Sequence, residues 1–357
     1  MIYQSLLRPL LFQFDAEQAH EITYNIVERL QRSNLLSTLV KTIYSFQSPS
    51  LTQKFWGLTF RNPVGLAAGF DKNGCLVRAM ETLGMGFIEV GSVTAQAHGG
   101  NPKPRAFRLP DDQAIINRMG LNNDGVQTVV RRLQQINFSF PLGINIAKTP
   151  GPNITGEAAI KDYLFSYREA QKIADYITIN ISCPNTEDGR TFEDPVLLDE
   201  LLSALINKNN IHSKPTLVKF SSDISREELQ DRVDVCEDHQ VDGYVASNTS
   251  ASRKNLMSNP AKIQAIGSGG LSGPPISFKS TRIVQWLRAM VGQQKPIIGV
   301  GGINSFQAAL KMLQAGADLL QCYTGLIYEG PSLVKKINRG LANYLRQNGL
   351  SSIHKLT

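Results

Sequence analysis

The sequence predicts an α/β fold, a (β/α)8 TIM barrel with a small N-terminal helical extension. From residue 51 onward, a short apolar run, a polar or glycine-rich turn and a helical stretch recur eight times. Residues 1–46 differ, because their apolar side chains recur at spacings of three and four, which is typical of amphipathic helices. We therefore expect a helical domain at residues 1–46 and a barrel domain at residues 51–357, joined by the linker Gln47–Ser50.

The eight apolar runs have the length and the β-branched content of buried parallel strands. A doubly wound sheet usually has fewer strands, so eight strand and helix units favour a barrel. We also expect a hairpin at Leu51–Asn62, with Gly57 in its turn, and crossover helices at Arg226–Gln240, Ser305–Ala315 and Pro331–Gln347. The predicted barrel strands are Val64–Gly69, Phe87–Val93, Leu142–Ala147, Tyr176–Ser182, Thr216–Ser221, Gly243–Thr249, Ile297–Ile303 and Leu319–Gly325.

Composition limits the classes of partner and of metal site. The net charge of +7 favours an acidic substrate, a phosphate cofactor, a membrane surface or nucleic acid, although a solvated basic face has the same charge. Because the basic residues are dispersed and not interleaved with aromatic residues, we expect no nucleic acid partner. The four cysteines are widely scattered, which predicts neither a metal site nor a disulfide framework and favours a reducing compartment.

Residues 1–46 have basic residues between their apolar positions, as in helices that lie in a membrane interface. A helical cap packed on the barrel fits the same pattern equally well. No apolar run approaches the roughly 20 residues that span a bilayer, and Arg8, Asp15 and Glu17 interrupt any signal peptide. We expect the protein to remain on the cytoplasmic side of the membrane.

Polar or glycine residues occupy the carboxyl end of every predicted strand, and in a barrel these ends meet at one mouth. The segment Tyr176–Asn185 is the most informative, because Pro184 ends the strand beside groups that can all do chemistry. Late glycine-rich strand ends are typical of a barrel phosphate site. The candidates for phosphate binding are Gly273, Gly301, Gly302, Tyr323 and Thr324.

The chain lacks both the dinucleotide and the P-loop glycine motifs, so a mononucleotide fits better. Asn145, Asn180 and Lys219 could hydrogen-bond the edge of a polar ring, and a lysine stabilises a reduced flavin, which indicates FMN. The competing interpretation is a barrel aldolase or isomerase in which Lys72 or Lys219 forms a Schiff base. A small cyclic imide acid is predicted as a second ligand, with Lys72 for its carboxylate and four asparagines, Asn117, Asn122, Asn185 and Asn248, for its polar atoms.

These motifs closely resemble those of the dihydroorotate dehydrogenase family, and the resemblance covers essentially the whole chain. It implies oxidation of dihydroorotate to orotate in pyrimidine biosynthesis, with FMN as cofactor. The helical extension is similar to that of the membrane-associated class 2 members, which use a quinone, and it implies peripheral association with the cytoplasmic face of the inner membrane. The matching segments are Gly65–Lys72, Gly100–Leu109, Ile116–Asn123, Ile179–Thr186, Ser247–Thr249, Gly269–Gly273 and Ile298–Gly302.

The resemblance also assigns residues, position by position. His20 and Arg105 fall where class 2 members line the quinone tunnel. The implied substrate contacts are Lys72, Asn117, Arg118, Met119, Gly120, Leu121, Asn180, Asn185, Asn248 and Thr249. The implied FMN contacts are Ala68, Gly69, Phe70, Asp71, Lys72, Ser92, Asn145, Asn180, Lys219, Ser247, Gly273, Gly302, Tyr323 and Thr324.

Cys183 falls at the position of the catalytic base in the resemblance. Class 2 members usually have serine there, and cysteine is typical of class 1, whose members use fumarate or NAD. A thiol has an ordinary pKa near 8.5, far below that of a hydroxyl, so it accepts a proton more readily near neutrality. We favour class 2, because the extension and the Pro104–Arg108 motif are longer features than one residue.

Overall fold

A computed structural model describes residues 3–182, 191–206 and 214–356. Eight parallel strands form a closed barrel, which confirms the predicted fold class. The strands pair in chain order, and the last closes on the first, where Leu320 lies opposite Val64. The barrel strands are β1 (Val64–Leu66), β2 (Phe87–Val93), β3 (Leu142–Ile146), β4 (Tyr176–Asn180), β5 (Thr216–Phe220), β6 (Gly243–Ala246), β7 (Ile297–Val300) and β8 (Leu319–Cys322).

Every residue of these strands is buried, because helices cover the outside of the barrel and side chains fill its inside. Several predicted runs extend two or three residues beyond the observed strands. The first run, for example, was expected to reach Gly69, but β1 ends at Leu66. The extra residues turn away from the ladder at the carboxyl ends and lie at the mouth of the barrel.

The N-terminal extension is helical, as predicted. Asp15 caps its long helix by accepting hydrogen bonds from the backbone N–H groups of Glu17 (2.9 Å) and Gln18 (2.8 Å). None of the described helices is long and apolar enough to cross a bilayer. The elements are a π-helix at Tyr3–Leu7, α1 (Arg8–Leu11), α2 (Ala16–Leu30) and α3 (Asn34–Tyr44).

The helices of the barrel domain begin at recognisable caps. Ser225 and Glu228 exchange side-chain and backbone hydrogen bonds in a capping box, at 2.8 and 3.2 Å, so that helix starts at Arg226. The helices are α4 (Val77–Thr82), α5 (Val126–Leu133), α6 (Gly156–Ala170), α7 (Pro195–Leu205), α8 (Arg226–Asp238), α9 (Pro260–Ile266), α10 (Ser277–Val291), α11 (Phe306–Gln314), α12 (Thr324–Glu329) and α13 (Leu333–Gln347).

Two small sheets complete the fold. The predicted hairpin is present, with Gln53–Phe55 paired to Leu58–Phe60, and Gly57 adopts a φ of 76° in its turn. An antiparallel three-stranded sheet was not predicted. Its strands are Ala106–Leu109, Ala114–Asn117 and Gly270–Ser272, and the last two contribute residues to the cavity at the barrel mouth.

Candidate active site

A cavity of about 770 Å³ lies at the carboxyl ends of the strands. This volume is within the range of small-molecule sites, and the mouth is where barrel active sites are built. Most of the predicted ligand contacts line it together. They are Ala68, Gly69, Lys72, Ser92, Asn117, Arg118, Met119, Gly120, Leu121, Asn180, Lys219, Ser247, Asn248, Thr249, Gly273, Gly302, Tyr323 and Thr324.

Three predicted cofactor contacts do not line the cavity, and two predicted residues lie outside the described part of the chain. Cys183 and Asn185 belong to the latter group. Phe70 packs between His20 and Tyr323, with ring centroids at 5.1 and 5.4 Å.

Asp71 turns away from the cavity. Its carboxylate accepts hydrogen bonds from the Tyr24 hydroxyl (2.9 Å) and from the backbone N–H groups of Cys75 (3.0 Å) and Leu76 (2.7 Å). Burial raises the pKa of this carboxyl above its ordinary value. The side chain therefore shapes the loop after β1 and ties it to α2, and it does not line the cavity.

Glycines at the late strand ends let the backbone border the cavity closely. Gly302 has a φ of 73°, and a Cβ there would come within 2.5 Å of the Ser277 Cβ. Gly273 has a φ of 107°, and a Cβ there would lie 2.7 Å from the Gln113 carbonyl oxygen. Both positions therefore require glycine, as expected of a turn that presents backbone N–H groups to a phosphate.

Two lysines bring positive charge to the cavity. Burial lowers the pKa of Lys219, and the negative charge of Glu89 opposes that shift. Burial, followed by the charge of Arg105, lowers the pKa of Lys72 to about 8, while Glu17 and Asp71 act in the opposite direction. Both side chains are thus suited to meet an acceptor or an anion, since a desolvated cation gains most from a partner.

A line of hydrogen-bonded polar side chains runs below and beside the cavity. Asn145 is fully buried beneath it, and its Oδ1 accepts a hydrogen bond from the Ser92 hydroxyl. Ser92 Oγ in turn accepts one from Asn180 Nδ2 at 3.1 Å. Asn145 therefore supports the lining residues from below, where it had been expected to contact the cofactor itself.

The two predicted quinone-site residues lie where the extension meets the barrel. Arg105 is buried, and its guanidinium donates to Glu17 on α2 (2.7 Å) and to the carbonyl oxygens of Gly99 (2.7 Å) and Asn101 (2.9 Å). Burial lowers the pKa of His20 to about 4, so its imidazole is neutral near pH 7. Arg105 thus joins helix α2 of the extension to the loop that contains Gly99 and Asn101.

Sequence reasoning missed several lining residues. Gln321 belongs to a buried strand, and a polar residue inside an apolar strand was the signal that could have identified it. Other lining residues that were assigned no role include Asn101, Ser221, Asp223 and Ser272, although Asn101 and Ser272 lie within matching segments.

Comparison with known proteins agrees with this geometry. The model of the family Dihydroorotate dehydrogenase matches residues 50–345. A relative from Chromobacterium violaceum, named dihydroorotate dehydrogenase (quinone), is 43% identical over 354 residues, which cover 97% of this chain and 99% of the relative. A relative of the same name from Christiangramia forsetii is 41% identical, over 95% of this chain and 98% of the relative.

Solved structures agree as well. The crystal structure of the Eimeria tenella enzyme in complex with ferulenol superposes with a TM-score of 0.81 and 30% identity, over 97% of each chain. The ligand-free structure of the Eimeria tenella enzyme gives a TM-score of 0.80 and 32% identity, over 94% of this chain and 98% of that one. With matches of this extent in sequence and in fold, the chain belongs to the dihydroorotate dehydrogenase family.

Proposed function

We propose that this chain oxidises dihydroorotate to orotate with FMN as its cofactor and a membrane quinone as its electron acceptor. As a family member it is an oxidoreductase of pyrimidine biosynthesis, and the family depends on a flavin. One observation carries the proposal. The loop after β1 lines the cavity through Gly69 and Lys72 and contacts helix α2 of the extension through Asp71, so the substrate site and the extension share one loop.

FMN would occupy the part of the cavity that the late strand ends border. Gly273, Gly302, Tyr323 and Thr324 would hold its phosphate with backbone N–H and hydroxyl groups. When bound, the flavin accepts two electrons from the substrate and passes them on to the quinone. The residues proposed to contact the ring or the ribityl chain are Ala68, Gly69, Ser92, Asn180, Lys219 and Ser247, and Asn145 supports them from below.

The substrate's carboxylate would pair with the Lys72 ammonium. Its imide would meet the amides of Asn117, Asn185 and Asn248, together with Thr249 and the segment 118–121. The structure supports amide roles for two of these residues, because Asn117 and Asn248 both border the cavity. The Arg118 guanidinium has a structural role. It donates to the carbonyl oxygens of Ile266 (2.5 Å) and Ser268 (3.0 Å) and so holds the segment 118–121 in place.

Cys183 would act as the base that accepts the substrate's proton. Ser182, the last described residue before it, lines the cavity, and this supports a position for Cys183 close to the substrate. The thiolate form is the proton acceptor, so its rate of proton removal should increase as the pH approaches the ordinary thiol pKa of about 8.5.

Quinone would approach from the extension. His20 contacts Phe70, and Phe70 contacts Tyr323 of the cavity, so aromatic side chains connect α2 with the flavin site. Burial keeps His20 neutral, which suits a channel for an apolar molecule. We assign Arg105 to the wall of this channel through its buried pair with Glu17.

The extension would also dock the protein on the membrane. Eleven of the fifteen exposed large apolar side chains of the described residues belong to it. A concentrated apolar surface of this kind, with basic residues nearby, suits an interfacial helix. We therefore propose peripheral binding to the cytoplasmic face of the inner membrane through the apolar dock, which comprises Leu6, Leu7, Leu10, Phe14, Ile22, Ile26, Leu30, Leu35, Leu36, Leu39 and Ile43.

Anaerobic mixing of the purified protein with dihydroorotate tests the proposal. The visible absorbance of the bound flavin should bleach, and a quinone should restore it, whereas fumarate or NAD should not. Absence of any flavin absorbance would favour the Schiff-base aldolase. Reoxidation by fumarate or NAD in place of quinone would make the protein functionally similar to class 1.

A further inference from the structure

Glu89 is a charged residue in the middle of β2, and its side chain has no exposed surface. A buried carboxylate is costly unless hydrogen bonds replace its hydration. Here its two oxygens accept hydrogen bonds from Asn145 Nδ2 (2.8 Å), Gln321 Nε2 (2.8 Å), Thr178 Oγ1 (3.1 Å) and the Tyr176 hydroxyl (3.4 Å). Donors from three other strands thus converge on one acceptor inside the barrel.

An ionised carboxylate can only accept hydrogen bonds, so it decides which way a neighbouring amide turns. Asn145 must direct its Nδ2 toward Glu89, and its Oδ1 is left to accept from the Ser92 hydroxyl. Because the Ser92 hydrogen is used in that bond, Ser92 Oγ is available as an acceptor for Asn180 Nδ2. The direction set at Glu89 is therefore passed along two further side chains.

The chain ends at the cavity. Asn180 uses its Nδ2 for Ser92, so its Oδ1 accepts from Ser182 Oγ (3.1 Å) and from Asn248 Nδ2 (3.4 Å). Asn180, Ser182 and Asn248 all line the cavity. Asn248 Nδ2 also donates to Ser182 Oγ at 2.7 Å, and its Oδ1 accepts from the Thr249 N–H at 2.8 Å. Both contacts agree with the direction set at Glu89, whose carboxylate does not line the cavity.

Gln321 gives independent evidence of this control. Its Nε2 is directed to Glu89, while its buried Oε1 finds no hydrogen-bond partner among the described residues. The opposite orientation would direct a carbonyl oxygen at the Glu89 carboxylate, so the carboxylate sets the orientation of this amide. Gln321 lines the cavity, so its remaining oxygen is available to a donor of a bound ligand.

We propose that Glu89 is a positioning residue, whose acceptor-only carboxylate sets the direction of the hydrogen bonds from Asn145 through Ser92 and Asn180 to Asn248. It touches neither ligand. It acts by orienting the amides that bind the flavin and the substrate, and in this respect the inference rests on the function proposed above.

Glu89→Gln tests the proposal with little change of shape. A carboxamide can donate or accept, so the direction of the chain is no longer fixed. We expect the dissociation constant of orotate, measured by titration of the bound flavin's absorbance, to increase roughly tenfold, as for the loss of about one hydrogen bond. The visible spectrum of the bound FMN should also change shape, which a loss of stability alone does not cause.

Asp318→Asn is the matched control. Asp318 is another mostly buried carboxylate of the barrel, and it accepts from Arg288 (2.5 Å) and the Ile297 N–H (2.7 Å), away from the chain of amides. This variant should melt at a lower temperature with an unchanged flavin spectrum and unchanged orotate affinity.

A second variant keeps the test decisive if Glu89→Gln alone does not fold. Glu89→Asp keeps a carboxylate that only accepts hydrogen bonds, so the direction of the chain is retained although the side chain is one methylene shorter. We expect this variant to keep the native flavin spectrum and to bind orotate more tightly than Glu89→Gln.

The inference is overturned if Glu89→Gln binds orotate like the native chain, or if a folded Glu89→Asp variant shows the altered flavin spectrum expected of Glu89→Gln. Failure of the proposed function is a separate result, because the native chain itself would then bind neither FMN nor orotate.

Discussion

Many polar side chains at the barrel mouth hydrogen-bond one another, whereas the N-terminal extension leaves much of its apolar surface uncovered. At the mouth, Asn180 already bonds Ser92 and Ser182. On the extension, Leu35 is 81% exposed and Leu39 is 57% exposed. The difference indicates two modes of recognition. Amides that hydrogen bonds hold in place suit a small polar substrate. Exposed apolar side chains suit the surface of a lipid bilayer.

The two regions meet at a polar seam, which we define as the pairs Glu17–Arg105 and Tyr24–Asp71. Burial raises the pKa of Glu17, but the hydrogen bonds and charges of Arg105 and Lys103 together bring it below its ordinary value. The seam holds the apolar extension against the loop that also carries Lys72. Each prediction below changes one region, or the seam, and asks whether the other region responds.

The largest effect is expected at the mouth. Cys183→Ala removes the proposed proton acceptor, so the rate of flavin reduction by dihydroorotate should fall on the order of 10²- to 10⁴-fold. Anaerobic rapid mixing measures this rate, and the flavin content should not change. Cys236→Ala, which alters a buried thiol on α8, serves as the control and should keep the native rate. An unaltered rate in the Cys183 variant would remove that residue from the role of base.

At the seam, Arg105→Met leaves the buried Glu17 carboxylate without its main partner. Breaking a buried pair typically costs about 3–5 kcal/mol, so the urea midpoint of unfolding should fall markedly. Quinone turnover should fall with it, because the extension loosens. Lys103→Met is the control, since Lys103 is an exposed partner of the same carboxylate at 3.4 Å and its loss should change the free energy of unfolding little. Equal stability losses in the two variants would contradict the buried seam.

Orotate binding should depend on pH through Lys72, whose pKa lies at about 8. Below that value the ammonium pairs with the carboxylate of orotate. Above it the charge is lost, so the affinity should fall by up to about tenfold per pH unit. Titrations of flavin absorbance from about pH 7 to about pH 10 measure this dependence.

Lys72→Arg is the control for that dependence, because a guanidinium stays charged throughout the range. Its orotate affinity should vary little with pH, whatever its absolute value. A native chain whose orotate affinity stays constant above pH 8 would show that Lys72 does not pair with the carboxylate.

The smallest effect is expected on the extension. Leu39→Gln removes one side chain of the apolar dock, so binding to lipid vesicles should weaken by roughly 1 kcal/mol, or about fivefold, for a partly buried leucine. Val196→Gln provides the control, since Val196 is 68% exposed on α7 of the barrel domain. Co-sedimentation with vesicles separates the two. Equal losses in both variants would mean that the apolar dock has no special part in membrane binding.

Much of the fold was predictable because its signals are local. Eight runs with turns between them identify the barrel strands, and the hairpin with Gly57 follows from nearby residues. The three-stranded sheet was missed because Ala114–Asn117 pairs with Gly270–Ser272, a segment far away in sequence. No local pattern indicates such a pairing.

The site was predictable to the extent that strand ends converge. Asp71 was predicted to contact the cofactor but does not line the cavity, because a motif gives the identity of a residue but not the direction in which its side chain points. The part played by Glu89 depends on donors from β3, β4 and β8, which only the closed barrel brings together. The charged residue inside an apolar strand was a signal in the sequence, but its hydrogen-bond partners could not be identified from the sequence.

The central claim is that the mouth serves the substrate and the extension serves the quinone. Anaerobic stopped-flow measurement of both half-reactions, with quinone held in vesicles, tests it most directly on two variants. Lys72→Met should slow flavin reduction by dihydroorotate and leave reoxidation by the quinone unchanged. The pair Leu35→Gln and Leu39→Gln, combined in one chain, should do the reverse. If either variant slowed both half-reactions equally, with native flavin content, the separation of the two sites would be contradicted.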